Sequence, residues 1–95
     1  MNDDTKTQKN NKDGHMELGK FYFLNNKYDA AVAEFQKVLE IDAGNAEAYY
    51  NIGLARETYG DFDGAKEMYS KTLALDENYK AARERLNKLI GLKDE

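Results

Sequence analysis

Apolar side chains recur at intervals of three and four through most of this chain, the spacing of one helical face. Met16, Leu18, Phe21, Tyr22 and Leu24 give a first helix a broad apolar side, and Asn25-Asn26-Lys27 then interrupts the run. Tyr28, Ala31, Val32, Phe35, Val38, Leu39 and Ile41 predict a second helix, ended by Asp42-Ala43-Gly44-Asn45. Asn45 is placed to cap the helix that follows. Tyr49, Ile52, Gly53 and Ala55 line that third helix, and Gly60 stands where a residue of positive φ ends it. Phe62 to Leu75 predict a fourth. In the last segment, Tyr79 to Gly91, Ala82, Leu86, Leu89 and Ile90 form a narrow stripe among Lys80, Arg83, Glu84, Arg85 and Lys88. That is the pattern of a terminal cap, with one face for its neighbour and the others for water.

The pattern repeats with a shift of 34. Gly19 aligns with Gly53, Asp29 with Asp63, Ala31 with Ala65, Lys37 with Lys71, Leu39 with Leu73 and Asp42 with Asp76. Leu18 and Ile52, Tyr28 and Phe62, Phe35 and Tyr69, and Ile41 and Leu75 match in kind. A fixed period of this length predicts stacked units, since one helical pair cannot bury its apolar face alone. Links of two or three residues make each unit an antiparallel hairpin. Gly19, Gly53, Ala31 and Ala65 are small where backbones must approach. Phe35, Tyr69, Tyr28 and Phe62 are expected to fill the remaining space.

Composition narrows the function. Ninety-five residues allow one small domain, and 7 Tyr with 4 Phe supply a core. Lys and Arg total 14 against 18 Asp and Glu, for a net charge of −4, which disfavours nucleic acid. The body from Lys27 to Glu77 carries eleven acids and five bases, and the basic last helix balances it. A weaker nucleic-acid reading would rest on Lys80, Arg83, Arg85, Lys88 and the lysines near the N-terminus. There is no cysteine and one histidine, so no metal site, cofactor or thiol chemistry is expected. No nucleophile–base pair, carboxylate pair or phosphate loop has a recognisable spacing, so an enzyme is not expected. Glu34–Lys37, Asp63–Lys66 and Glu67–Lys71 read as surface helix pairs. Neither a membrane span nor a signal peptide is visible, which makes the cytoplasm the default location. Met1 to Asp13 has Met1 as its one apolar side chain and is expected to be a disordered polar arm.

These residues resemble the tetratricopeptide repeat, Trp-x2-Leu-Gly-x2-Tyr…Ala-x3-Phe…Pro with a period of 34. The first unit supplies His15, Leu18, Gly19, Tyr22, Ala31, Phe35 and Ala43; the second supplies Tyr49, Ile52, Gly53, Arg56, Ala65, Tyr69 and Glu77. His15 replaces the tryptophan, Arg56 the tyrosine, and both prolines are missing. The resemblance implies an all-α fold: two helix-turn-helix repeats and a capping helix, stacked as a short right-handed superhelix (α-solenoid). Repeat 1 spans about 12–45, repeat 2 about 46–79 and the cap about 79–91. The domain as a whole covers 14–91, followed by a tail at 92–95.

The resemblance also implies a concave groove lined by the first helices of successive repeats, taking a peptide or protein segment. By position the groove includes Met16, Lys20, Phe23 and Leu24, then Glu47, Tyr50, Asn51, Leu54 and Thr58. The cap adds Ala81, Glu84, Arg85 and Lys88. Phe23, Tyr50 and Leu54 lie off the faces that pack each hairpin, as spare apolar area at a binding surface would. One subclass of the family clamps a terminal carboxylate with lysines, asparagines and an arginine. Asn51 and Arg85 fit that pattern, whereas Met16, Lys20 and Ala81 stand where Lys, Asn and Lys belong. A chaperone-tail ligand is therefore not expected, because a carboxylate desolvated without its donors is costly. The expected function is a protein-interaction adaptor or scaffold whose groove combines apolar anchors with a basic end. The alternative is self-assembly, a homodimer formed through the open repeat face or by exchange of the cap helix.

Overall fold

A computed structural model describes residues 4–91, with side chains from Asn11 onward. Five helices follow in order: α1 (Asp4–Leu24), α2 (Tyr28–Ile41), α3 (Ala46–Tyr59), α4 (Phe62–Leu75) and α5 (Lys80–Leu89). No strand occurs among the described residues. Helices α1 and α2 form one hairpin, α3 and α4 a second; α3 stacks on α2, and α5 closes the stack on α4.

Local chemistry sets the turns. After Leu24 the chain turns through Asn26, whose φ is 64°, and the Lys27 amide donates to the Tyr22 carbonyl at 2.8 Å. Asn45 caps α3 by accepting from the Ala48 amide at 2.9 Å. Asp61 does the same for α4, accepting from the Gly64 amide at 2.9 Å. Gly60 ends α3 with φ 98°, a conformation that side chains disfavour.

The core has two centres. In the first, Ala31, Phe35 and Val38 of α2 pack against Ala48 and Ile52 of α3, with Met16 of α1 beside them. In the second, Ala65 and Tyr69 of α4 meet Ala82 of α5, flanked by Leu86 and Leu89. Thr72 is fully buried, but its hydroxyl donates to the Met68 carbonyl at 2.9 Å and so carries no unpaired polar atom into the core. His15, which stands at the tryptophan position, is tied to the α2 residue Glu34, with 2.6 Å between Nδ1 and Oε1.

Three expectations need correction. The polar segment read as a disordered arm is helical from Asp4 onward. Packing fixes α1 from Met16 on, so each residue added upstream extends an existing helix without a new nucleation cost. Residues 1–3 and the tail at 92–95 lie outside the described residues. Phe62 does not fill the hairpin, being 53% exposed, and Tyr28 is only half-buried; Phe35 and Tyr69 already occupy that space. The apolar side of α1 is split, since Met16 is buried while Leu18, Phe21 and Leu24 are exposed. Ile90, at the end of the cap stripe, is also 50% exposed.

Candidate functional site

The crevice between α1 and α3 opens into a cavity of about 230 Å³ lined by Lys20, Phe23, Leu24, Phe35, Asn51 and Leu54. Two features of the repeat create it. Gly19 lets the Phe35 ring reach across the hairpin to form part of the wall. The loop after Leu24 then turns the chain away, leaving Leu24 79% exposed at the rim. Phe23 is held by an edge-on contact with Tyr28, ring centroids 5.6 Å apart.

Five of the sequence-derived groove residues therefore meet in one cavity: Lys20, Phe23, Leu24, Asn51 and Leu54. The others stand elsewhere. Met16 is a core residue, and its sulfur accepts from Asn51 Nδ2 at 3.5 Å. Glu47 lies beside the cavity and pairs with Lys20, Nζ to Oε2 2.8 Å. The hydrogen bond to Glu47, assisted by the charges of Glu47 and Glu17, outweighs burial and holds the Lys20 ammonium above its ordinary pKa. Tyr50 stacks between Tyr69 and Tyr79, at 5.7 and 5.1 Å between centroids, so it belongs to the α3–α4–α5 packing. Burial pushes its hydroxyl pKa up. Thr58 is exposed and its hydroxyl donates to the Leu54 carbonyl at 2.8 Å. Ala81 is half-buried; Glu84 and Lys88 are exposed on α5.

Arg85 departs most from expectation. It forks onto Glu57 of α3, Nε to Oε1 2.9 Å and Nη2 to Oε2 3.3 Å, while the buried Tyr69 hydroxyl donates to the same Oε1 at 2.7 Å. Burial alone would raise the Glu57 pKa, but the hydrogen bonds from Arg85 and Tyr69 outweigh it and hold the carboxyl below its usual range. The guanidinium fastens α5 to α3, and the basic end of the groove shrinks to Lys88. Sequence reasoning missed Glu57, because its partners lie 12 and 28 residues away. It also assigned Phe35 to the core without its second role as a cavity wall, for which the 34-residue match to Tyr69 gave no hint.

A second cavity of about 240 Å³ lies between α2 and α3, lined by Tyr28, Asp29, Val32, Ala33, Gln36, Ala55, Arg56 and Tyr59. None of the sequence-derived groove residues reaches it. Among the described residues no three His, Asp or Glu side chains converge as a metal site. No described helix is long and apolar enough to cross a membrane.

Helical hairpins stacked one on the next, with a crevice between their first helices, define an α-solenoid. The chain belongs to the tetratricopeptide repeat family: one profile, described as TPR repeat, matches residues 19–58, and a second, Tetratricopeptide repeat, matches residues 46–79. Similar curated proteins include the FK506-binding protein-like proteins of Mus musculus and Rattus norvegicus. The mouse protein is 37% identical over 60 residues, 63% of this chain and 17% of its own length. The rat protein is 33% identical over 76 residues, 80% of this chain and 22% of its own length. The chain thus spans about a fifth of the relatives it matches.

Among solved structures, the C-terminal TPR-containing domain of a Plasmodium falciparum FK506-binding protein superposes with a TM-score of 0.81. It is 28% identical, over 92% of this chain and 58% of that one. The first TPR of Spaghetti, solved with an HSP90 peptide, gives a TM-score of 0.76 at 23% identity, over 81% and 61% of the two chains. At that identity the likeness is one of fold.

Proposed function

We propose that this chain is a protein-interaction module whose α1–α3 crevice seats an apolar side chain of a partner segment. The observation that carries this reading is the cavity itself. Phe23, Leu24, Phe35 and Leu54 give it apolar walls, while Lys20 and Asn51 put one charged and one amide group at its edge. Apolar walls with a few placed polar groups are the usual makeup of a binding cleft. Lys20 is shared with Glu47, so the crevice offers a paired charge and suits a segment whose anchor is apolar.

A terminal-carboxylate clamp is disfavoured on the same grounds. Asn51 is turned toward Met16 and Arg85 is spent on Glu57, so the two residues that fit the clamp pattern are engaged within the fold. The HSP90 peptide of the Spaghetti neighbour is therefore not carried over as a ligand.

The test is a capture experiment from source-cell lysate with the wild type, Leu54→Asp and Leu24→Asp. Leu24 is exposed, so its substitution leaves the core intact, and circular dichroism checks that helicity is unchanged. Proteins kept by the wild type and lost by both variants support the crevice. Proteins retained equally by all three would overturn it.

A further inference from the structure

We propose that the cavity between α2 and α3 is a second binding site, and that it takes a free aromatic α-amino acid. The ligand's carboxylate would meet Arg56, its ammonium Asp29, and its ring the apolar surface of Val32 and Ala55. The site is independent of the α1–α3 crevice, because no described residue lines both cavities.

The cavity borders the one ring position of the repeat signature that the second unit leaves without a ring. Tyr49 stands for the signature tryptophan and Tyr69 for the phenylalanine, but Arg56 replaces the tyrosine. In the first unit the same position is Tyr22, which packs against the core. Arg56 is held less completely. Its Nε is buried with no hydrogen-bond partner, and Nη1 reaches Asp61 at a long 3.3 Å. A buried donor left unpaired is rare in folded proteins and calls for a partner. The Arg56 side chain is one-third exposed, so it can turn toward the cavity it lines. A carboxylate there would accept from Nε and one Nη together, the paired geometry a guanidinium favours. Asp61 then keeps its capping contact with the Gly64 amide.

The facing helix carries the opposite charge. Tyr59 of α3 donates to Oδ1 of Asp29 on α2 at 2.9 Å, and both residues line the cavity. This partner is a neutral hydroxyl, so the Asp29 carboxylate keeps its charge. The hydrogen bond to Asp29, and then its charge, raise the Tyr59 hydroxyl pKa, while the Arg56 charge pulls it the other way. Both charges therefore act on one hydroxyl of the lining. A ligand with a single charge would be attracted by one of them and repelled by the other; a zwitterion satisfies both. Size selects further. The volume of about 240 Å³ falls below the roughly 300–1,000 Å³ of ordinary ligand pockets and suits a single amino acid. The rings of Tyr28 and Tyr59 in the lining favour an aromatic side chain over an aliphatic one.

The test titrates L-phenylalanine into the isotope-labelled full chain and follows amide shifts by NMR. Saturable shifts centred on residues 28–36 and 55–59 support the proposal. Arg56→Gln should weaken binding about tenfold or more, and so should N-acetyl-L-phenylalanine or L-phenylalaninamide as ligand, each lacking one charge. Ala33→Trp is the second variant. Ala33 is exposed in the lining, so the added ring blocks the cavity without entering the core. It should abolish the shifts whether or not Arg56→Gln perturbs the fold. Absence of shifts at those residues up to about 10 mM ligand would overturn the proposal. Shifts centred on the α1–α3 crevice, or undiminished binding by both variants, would do the same. Equal binding of the acetylated or amidated ligand would overturn the zwitterion assignment, and tighter binding of L-leucine the aromatic one.

Discussion

Gly19 faces the ring of Phe35 so closely that a methyl group at residue 19 would stand 2.5 Å from Cε1, and Gly53 faces Tyr69 in the same way at 2.6 Å. Each hairpin closes on that contact. Gly53→Ala sets two effects against each other. Helix propensity favours alanine by up to about 1 kcal/mol. Overpacking a ring that cannot yield costs about 1–3 kcal/mol, and Tyr69 is fully buried with its hydroxyl held by Glu57. Net destabilisation of about 1–2 kcal/mol is expected, a fall in Tm of several degrees. Gly14→Ala, where the added methyl meets nothing, should instead stabilise by up to about 1 kcal/mol. Thermal melts of the two variants check the pair; a stabilised Gly53→Ala would contradict the packing argument.

The three interior helices are not capped equally. Asn45 and Asp61 cap α3 and α4, whereas Lys27 precedes α2 with no side-chain cap. Lys27→Asp supplies the missing acceptor and places an acid at the positive end of the helix. A gain of about 0.5–1 kcal/mol in urea denaturation is expected, against a loss of about 1 kcal/mol for Asn45→Ala. An unchanged midpoint would contradict this, because Asp61 caps α4 from nearly the same backbone conformation, φ −87° and ψ 80° against −99° and 75° at Lys27.

Much of this was legible in the sequence, for a physical reason. The 34-residue period, the caps and the small positions opposite Phe35 and Tyr69 are local or periodic constraints, so they leave a pattern. The sequence pattern failed where side chains choose among long-range partners. Tyr50 reads as spare apolar area, yet it packs between Tyr69 and Tyr79. Arg85 reads as a free groove charge, yet Glu57 takes it. Leu18 and Phe21 carry the same periodic signal as buried positions and differ only in having no helix over them. The crevice was half visible: periodicity picks out Lys20, Phe23, Leu24, Asn51 and Leu54, but cannot separate them from Met16, which points inward.

Lys20 and Glu47 bridge α1 and α3 at the crevice rim, both nearly half exposed. An exposed pair of this kind contributes at most about 1 kcal/mol. Lys20→Ala should therefore change stability by less than that while changing the charge offered to a ligand. The reversed pair, Lys20→Glu with Glu47→Lys, should recover whatever stability Lys20→Glu alone loses. A double-mutant cycle in low and high salt measures this; coupling that salt leaves unchanged would mean the pair is more deeply desolvated than its exposure indicates.

Glu57 joins three helices, receiving Arg85 from α5 and Tyr69 from α4 on a carboxylate rooted in α3. Burial opposes its charge, yet the two donors win and its folded pKa lies below the ordinary value. The stability it contributes is therefore fully present above the unfolded glutamate pKa of about 4.3 and is lost as pH falls through the lower, folded value. Glu57→Gln keeps an acceptor for Tyr69 but removes the charge that holds Arg85. At pH 7 it should destabilise by about 1 kcal/mol, since Arg85 is 41% exposed and solvent screens the pair. Near pH 3 the protonated wild type resembles the variant, so the two stability curves should converge. Asp42, whose carboxyl is lowered chiefly by the Asn45 amide with help from Lys12, loses stability in the same acid range. It does so in both proteins, and the difference between the curves isolates Glu57. A gap that stays constant from pH 7 to pH 3 would mean that Glu57→Gln acts through packing, and that the Arg85 fork does little to hold α5 in place.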